Sequence, residues 1–355
     1  MPARPQKLAA FTTQTPPARI LIVDDSVVAR AVIGKMIESN SRFAVAGAVA
    51  DAHAALDFLQ RETVDVILLD IEMPGVDGLT ALPDLLAGGR GARVIVVSSS
   101  CAEGAAATIQ ALTLGAADTL VKPGLGNLVG KFGDMLTEKI ARLFDGDDAG
   151  ANRSLPAATV GAVSDFDIVA IGASTGGIHA LSQMLRAVPP AFQAPMLITQ
   201  HLPPSFMPYF AAQIAVLAGR PCEVAQDHLR IKPGRIIVAP GDAHLRCARF
   251  GDAVVVRLTN ERVASGCLPS VDPMFASVAE TFGARALGVV LSGMGRDGAL
   301  GAAQLSHAGG ALVVQDKASS VVWGMPGAVA QGGFAQAVLP PDEIGRLIAA
   351  GKRPQ

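Results

Sequence analysis

The stretch "DIVAIGASTGGIHALSQML" (167–185) decides the fold of the second half of this chain. An apolar run, Ile168–Ala173, meets a glycine-rich turn, and apolar residues at helical spacing follow. That is a buried strand feeding a helix, the unit from which parallel sheets are built. Ser174 sits in the middle of the turn. A dinucleotide fingerprint needs glycine there, and a phosphate-binding loop needs a lysine that is absent. The pattern Gly172-x-Ser174-x-Gly176 fits instead the sharp strand-to-helix turn that exposes a nucleophilic serine. A helix start behind it would offer free N–H groups to an oxyanion. The plainer alternative is a serine that only caps the helix.

Working outward, "PMLITQ", "RIIVAP", "ALGVVLSG" and "GALVVQ" are further buried strands, several separated by helical segments. "AVVVRLTNE" (253–261) is expected to form a hairpin with "HLRCARF". Upstream, residues 145–165 are rich in Asp, Gly, Ala and Ser and read as a linker. Before it, "RILIVDD", "FAVAGAVA", "VDVILLD", "RVIVVSSS" and "GAADTLV" alternate with helical segments such as 27–39, 52–62 and 128–144. The fold class is α/β: two doubly wound parallel-sheet domains, at 19–144 and 166–350, after a disordered tail at 1–18. The 355 residues exceed what one core usually serves, which agrees with two domains.

Half of the residues are hydrophobic and the formal net charge is −2. This argues against a nucleic-acid partner, and no apolar run is long enough for membrane insertion. Cys101, Cys222, Cys247 and Cys267 are scattered without a C-x-x-C pair, which argues against a zinc site or a disulfide framework and favours a reducing cytoplasm.

In parallel sheets, sites form beyond the carboxyl ends of strands. In the first half, Asp24 and Asp25 end one strand and Asp70 another, while Ser98 and Lys122 end two more. Three converging carboxylates call for a cation, and oxygen ligands suit Mg²⁺, which also binds phosphate oxygens. Lys122 would neutralise a phosphoryl group, and Ser98 would donate a hydrogen bond to it.

In the second half, Ser174 needs a base. His201 ends the strand "PMLITQ" on the same sheet edge; His244, in "APGDAH", is the second choice. His53, His228 and His307 read as surface residues, and His179 as turned away from the serine. For an orienting acid, Asp297 follows a strand and a glycine-rich turn, with Asp242 and Asp316 as competitors. The order Ser174, His201, Asp297 differs from the Ser, acid, His order of the common hydrolase fold, but the triad recurs on unrelated scaffolds.

"IVDDS", "LLDIEMPGVDGL", "VVSSS" and "LVKP" make residues 19–144 resemble a two-component response-regulator receiver domain. The resemblance implies Mg²⁺ at Asp24, Asp25 and Asp70, phosphorylation of Asp70 by a histidine kinase, phosphate contact by Lys122 and switching through Ser98. Thr119 and Leu120 stand where many receivers carry an aromatic. "IGASTGG", "TQHLPPSF", "VAPGDAHL", "PSVDPMFASVA", "LSGMGRDGA" and "VWGMPGAV" make the second half resemble the catalytic domain of bacterial chemotaxis protein-glutamate methylesterases. That resemblance implies a nucleophile at Ser174, a base at His201, an orienting acid at Asp297, and Thr175 and Met294 lining the site. "GMPGAV" lacks the basic residue often found after its proline. The implied reaction hydrolyses γ-glutamyl methyl esters of chemoreceptors and deamidates receptor glutamines, with no cofactor for the hydrolysis. The receiver is expected to cover the cleft until it is phosphorylated. The competing readings are an inactive scaffold or phosphate sink, and a serine esterase with another substrate.

Overall fold

A computed structural model describes residues 16–98, 102–122, 129–145 and 166–351. Most of the expected tail (1–15) and linker (146–165) lies outside the described residues. The first sheet is built from β1 (Ala18–Val23), β2 (Phe43–Val49), β3 (Val66–Asp70), β4 (Arg93–Ser98) and β5 (Asp118–Val121). Between and after the strands run α1 (Val27–Glu38), α2 (Ala52–Arg61), α3 (Gly78–Gly88), α4 (Ala102–Leu114) and α5 (Val129–Asp145). Every pairing is parallel, in the order β2-β1-β3-β4-β5. The strands are apolar on both faces because helices cover both. Ile20, Ile22, Leu68 and Ile95 pack towards Ile33, Ile37, Leu136 and Ile140, while Leu21, Ile67, Leu69 and Val96 pack towards Leu59, Leu82, Leu85 and Ile109. Each such side chain contributes roughly 1.5–3 kcal/mol through burial. Ser26, Asp51 and Asp77 set the helix starts by accepting from the N–H three residues on.

The second sheet has seven strands. They are β6 (Ile168–Ala173), β7 (Met196–Gln200), β8 (Cys222–Val224), β9 (Ile236–Val238), β12 (Ala286–Val290), β13 (Ala311–Gln315) and β14 (Ala337–Leu339). Their order is β14-β13-β12-β6-β7-β9-β8, again all parallel. One face carries α6 (Gly177–Arg186), α7 (Met207–Ala218) and α11 (Pro341–Ala349). The other carries α8 (Val271–Phe282), α9 (Ala299–His307) and α10 (Gly324–Gln331). β6 serves both: Val169 and Ile171 pack with Leu181 and Phe210, Ile168 and Ala170 with Phe275 and Val278. The expected hairpin forms from β10 (His244–Phe250) and β11 (Ala253–Thr259), lying on α8. The three-residue edge strands β8 and β14 were not anticipated.

The chain order along each sheet explains where chemistry collects. From β6 the sheet grows through β7 on one side and through β12 on the other, so the loops after β6 and β12 diverge and leave a crevice. Ser174 follows β6, His201 follows β7 and Asp297 lies beyond β12. In the first sheet the same divergence falls between β1 and β3, the strands that deliver Asp24, Asp25 and Asp70. Among the described residues, no helix is long and apolar enough to cross a membrane.

Candidate functional site

Glycine makes the turn after β6 possible. Gly176 has φ +74°, and a Cβ there would fall 2.5 Å from Val321 Cβ and 2.8 Å from Ser292 Oγ. The Ser174 backbone is held by Ser292 O, which accepts its N–H at 3.0 Å, and by Gln200 Nε2, which donates to its carbonyl at 3.0 Å. The side chains then form a relay. His201 Nδ1 lies 3.1 Å from Ser174 Oγ, and His201 Nε2 lies 2.8 Å from Asp297 Oδ2. Asp297 is 1 % exposed and ionised, so it can only accept. Nε2 therefore carries the proton shared with Asp297, and the lone pair of neutral His201 is on Nδ1, facing the serine.

Asp297 is itself caged. Ser270 Oγ donates to its Oδ1 at 2.5 Å and the Val271 N–H to its Oδ2 at 2.8 Å. These donors stand at the N-terminus of α8, whose dipole favours a carboxylate. Burial alone would favour the neutral acid, but His201, Ser270 and Val271 hold Asp297 down at about 2. Burial likewise opposes the imidazolium. The bond to Asp297, with help from Cys267, overrides it and lifts His201 to about 9.

The second-choice histidine does other work. His244 is buried, accepts from the Ser270 N–H at Nδ1 and donates from Nε2 to the Glu261 carbonyl, thereby fixing the loop that carries Ser270. Asp242 is exposed, and Asp316 accepts from Ser319. His53, His228 and His307 are exposed as expected. His179 faces away from the serine, with Nδ1 2.9 Å from the Thr113 carbonyl of the first domain. Met294 is half-buried against the apolar cluster containing Val322 and is not among the residues lining the cavity at Ser174.

That cavity, of about 450 Å³, lies between the two domains. Ser174, Thr175, Gln200, His201 and Cys267 line one side, and Ala117, Asp118, Lys139 and Arg142 line the other. The first domain engages the serine turn directly. Thr175 Oγ1 donates to Asp118 Oδ2 at 2.9 Å, and Asp118 Oδ1 pairs with Lys139 at 2.7 Å. The expectation of free N–H groups at the start of α6 needs correction. The Gly176 N–H donates to the Ala117 carbonyl at 2.8 Å, and the Gly177 N–H to Ser174 O at 2.8 Å. Sequence reasoning passed over Asp118, Gln200, Ser270 and Cys267. Only Ser270, a polar residue just ahead of an apolar helix, carried a local signal.

At the edge of the first sheet, Lys122 Nζ lies 2.6 Å from Asp70 Oδ2 and 3.0 Å from Asp24 Oδ2. Burial pushes Asp70 above its ordinary value despite that lysine. Burial works against the Lys122 charge, but the two aspartates more than restore it and raise its pKa. Carboxylate oxygens of Asp24, Asp25 and Asp70 lie within 4.8 Å of one another, a hard-oxygen set that fits a magnesium-sized ion. Ser98 Oγ is buried and lies 2.8 Å from Thr108 Oγ1 on α4.

The CheB methylesterase family model matches residues 169–348, and the response regulator receiver domain model matches residues 20–131. The chain belongs to the CheB methylesterase family. A protein-glutamate methylesterase/protein-glutamine glutaminase of Azospirillum brasilense is 39 % identical over 362 residues, covering 94 % of this chain and 92 % of its own. A second such enzyme, from Caulobacter vibrioides, is 41 % identical over 350 residues, covering 94 % and 99 %. The crystal structure of the Thermotoga maritima CheB methylesterase catalytic domain aligns with a TM-score of 0.51 at 33 % identity, covering 53 % of this chain and 99 % of that one. The family's pairing of a receiver with a methylesterase domain thus coincides with the two sheets and with the crevice in each.

Proposed function

We propose that the chain is a phosphorylation-activated protein-glutamate methylesterase and glutaminase acting on chemoreceptors, with residues 19–144 as regulator and 166–350 as catalyst. The Ser174–His201–Asp297 relay at the strand divergence supports this most strongly. Ser174 Oγ attacks the γ-glutamyl methyl ester carbonyl while His201 Nδ1 takes its proton. Asp297 stabilises the imidazolium and keeps the proton on Nε2. His201 returns the proton to the departing methanol, and water then cleaves the acyl-enzyme by the same route. A glutamine amide enters identically and leaves as ammonia. The Gly176 N–H at the start of α6 serves the oxyanion once the Ala117 carbonyl leaves it.

Control follows from the same contacts. Asp118, Ala117 and Lys139 face Ser174 across the cavity, and Asp118 ties Thr175, so the docked receiver restricts the approach of a receptor helix to the serine. A histidine kinase supplies the phosphoryl group to Asp70. Asp24, Asp25 and Asp70 would hold Mg²⁺, which shields the phosphoryl charge during transfer, and Lys122 then binds that charge. Ser98, drawn to the phosphate, lets go of Thr108 and loosens α4, which packs on α6 and α7. We place the reaction in the cytoplasm, in keeping with the free thiols of Cys222, Cys247 and Cys267. Labelled methanol release from methylated receptor, with and without phosphodonor and Mg²⁺, tests the reading. The expected result is stimulation by phosphodonor and a loss of about 10⁴-fold in Ser174→Ala. Near-normal release by Ser174→Ala would overturn the catalytic assignment.

A further inference from the structure

We propose that Cys267, His201 and Asp297 form a zinc-binding site whose occupation locks the catalytic imidazole. One ligand atom from each, a thiol sulfur, an imidazole nitrogen and a carboxylate oxygen, falls within 4.8 Å of the other two. Sulfur and nitrogen together select a borderline-soft ion such as Zn²⁺ over Mg²⁺ or Ca²⁺. Cys267 belongs to the loop between β11 and α8, reaches the histidine from outside the relay, and lines the interdomain cavity, which provides an entry path. The surrounding support is already in place. Ser270 and the Val271 N–H orient Asp297, and the Cys267 N–H lies 3.4 Å from Ser265 Oγ. The relay pair itself needs little movement. Nε2 and Oδ2, now 2.8 Å apart, would open to about 3.3 Å to share a tetrahedral zinc with bonds near 2.0–2.1 Å. Solvent would fill the fourth position.

The chemistry balances simply. Zinc takes the electron pairs of the sulfur and of Nε2; the thiol proton leaves to the buffer, and the Nε2 proton of the neutral ring passes through solvent to Nδ1. The ring then carries its single proton on Nδ1. A nitrogen that already bears a proton cannot take one from Ser174, so the filled site stops the esterase without touching the nucleophile. The consequence for turnover rests on the proposed esterase reading; the binding itself does not, and the two are measured separately.

Binding is read in the full chain carrying Ser174→Ala, with excess Mg²⁺ to saturate the Asp24–Asp25–Asp70 cluster, by competing Zn²⁺ against a chromogenic chelator. One zinc per chain is expected, weakened at least about tenfold by Cys267→Ser and by His201→Gln, and unaffected by Cys222→Ser or Cys101→Ser. Co²⁺ in place of zinc should show a thiolate charge-transfer band that vanishes in Cys267→Ser. Equal affinity with and without Cys267, or a cobalt spectrum lacking that band, overturns the site. With Ser174 restored, Zn²⁺ should inhibit methanol release. The concentration for half inhibition, measured against each protein's own metal-free rate, should rise at least about tenfold in Cys267→Ser. Binding without inhibition would overturn the locking step while leaving the esterase reading intact.

Discussion

Replacing Asp297 by asparagine separates two jobs that the carboxylate performs together. Oδ2 accepts from both the Val271 N–H and His201 Nε2, and Oδ1 accepts from Ser270 Oγ. The fixed Val271 donor forces the asparagine oxygen into the Oδ2 place and the amide NH₂ towards Ser270 Oγ, which has lone pairs to receive it. The proton therefore stays on Nε2 and the tautomer survives, while the charge that lifts His201 to about 9 is gone. Falling back to the ordinary 6.5 removes roughly 3 kcal/mol of imidazolium stabilisation, a factor of 10²–10³. Desolvation of the ring would carry the pKa lower still. His201 serves as base only when neutral, so the wild-type rate should climb as pH rises towards about 9. The asparagine variant should reach its plateau by about pH 7.5. At pH 9.5 it should trail by about 10²–10³-fold. At pH 7, where only about one wild-type imidazole in a hundred is neutral, the gap should shrink to within about tenfold. Asp297→Ala, which frees the ring to flip and leaves Ser270 and Val271 unpaired, should lose about 10⁴-fold. The assay is initial-rate methanol release against pH, with a thermal melt to verify folding. Equal and pH-independent losses in the two variants would refute the reasoning, as would a wild-type profile already flat at pH 7.

Three further outcomes are expected. Asp118→Ala removes the hydrogen bond through which the receiver holds Thr175, an uncharged hydroxyl donating to a carboxylate, along with the Asp118–Lys139 pair inside the receiver. Unphosphorylated methanol release should rise about 5–30-fold, from a weakening of about 1–2 kcal/mol in docking; an unchanged basal rate would show that Asp118 does not hold the cavity closed. Asp70→Asn should leave the basal rate within about twofold and abolish stimulation by phosphodonor, seen as flat release on adding donor and Mg²⁺. Gly176→Ala places a methyl group against Val321 in a left-handed backbone, so it should cost at least about 1–3 kcal/mol in denaturant unfolding.

The long buried strands and the residues at their ends were legible because periodicity and position are local properties. Ile168–Ala173 cannot be read as anything but buried, and its strand end names Ser174. The short edge strands β8 and β14 carry three residues each, too few for a pattern, and form because the neighbouring strands β9 and β13 offer unpaired backbone groups. The cage around Asp297 depends on where α8 begins in space relative to β12, and the approach of Cys267 on the path of a loop, neither of which is written in spacing. The expectation that the N–H groups behind Ser174 stand free failed for a related reason. Their partner, the Ala117 carbonyl, is 59 residues away on another domain and is a backbone atom that no side chain announces.

The relay is complete while the receiver still lies beside it: serine, imidazole and carboxylate are already at bonding distance across the cavity from Asp118 and Lys139. On the proposed control, activation need not rebuild the triad; it has only to free the Gly176 N–H from the Ala117 carbonyl and open the approach to Ser174.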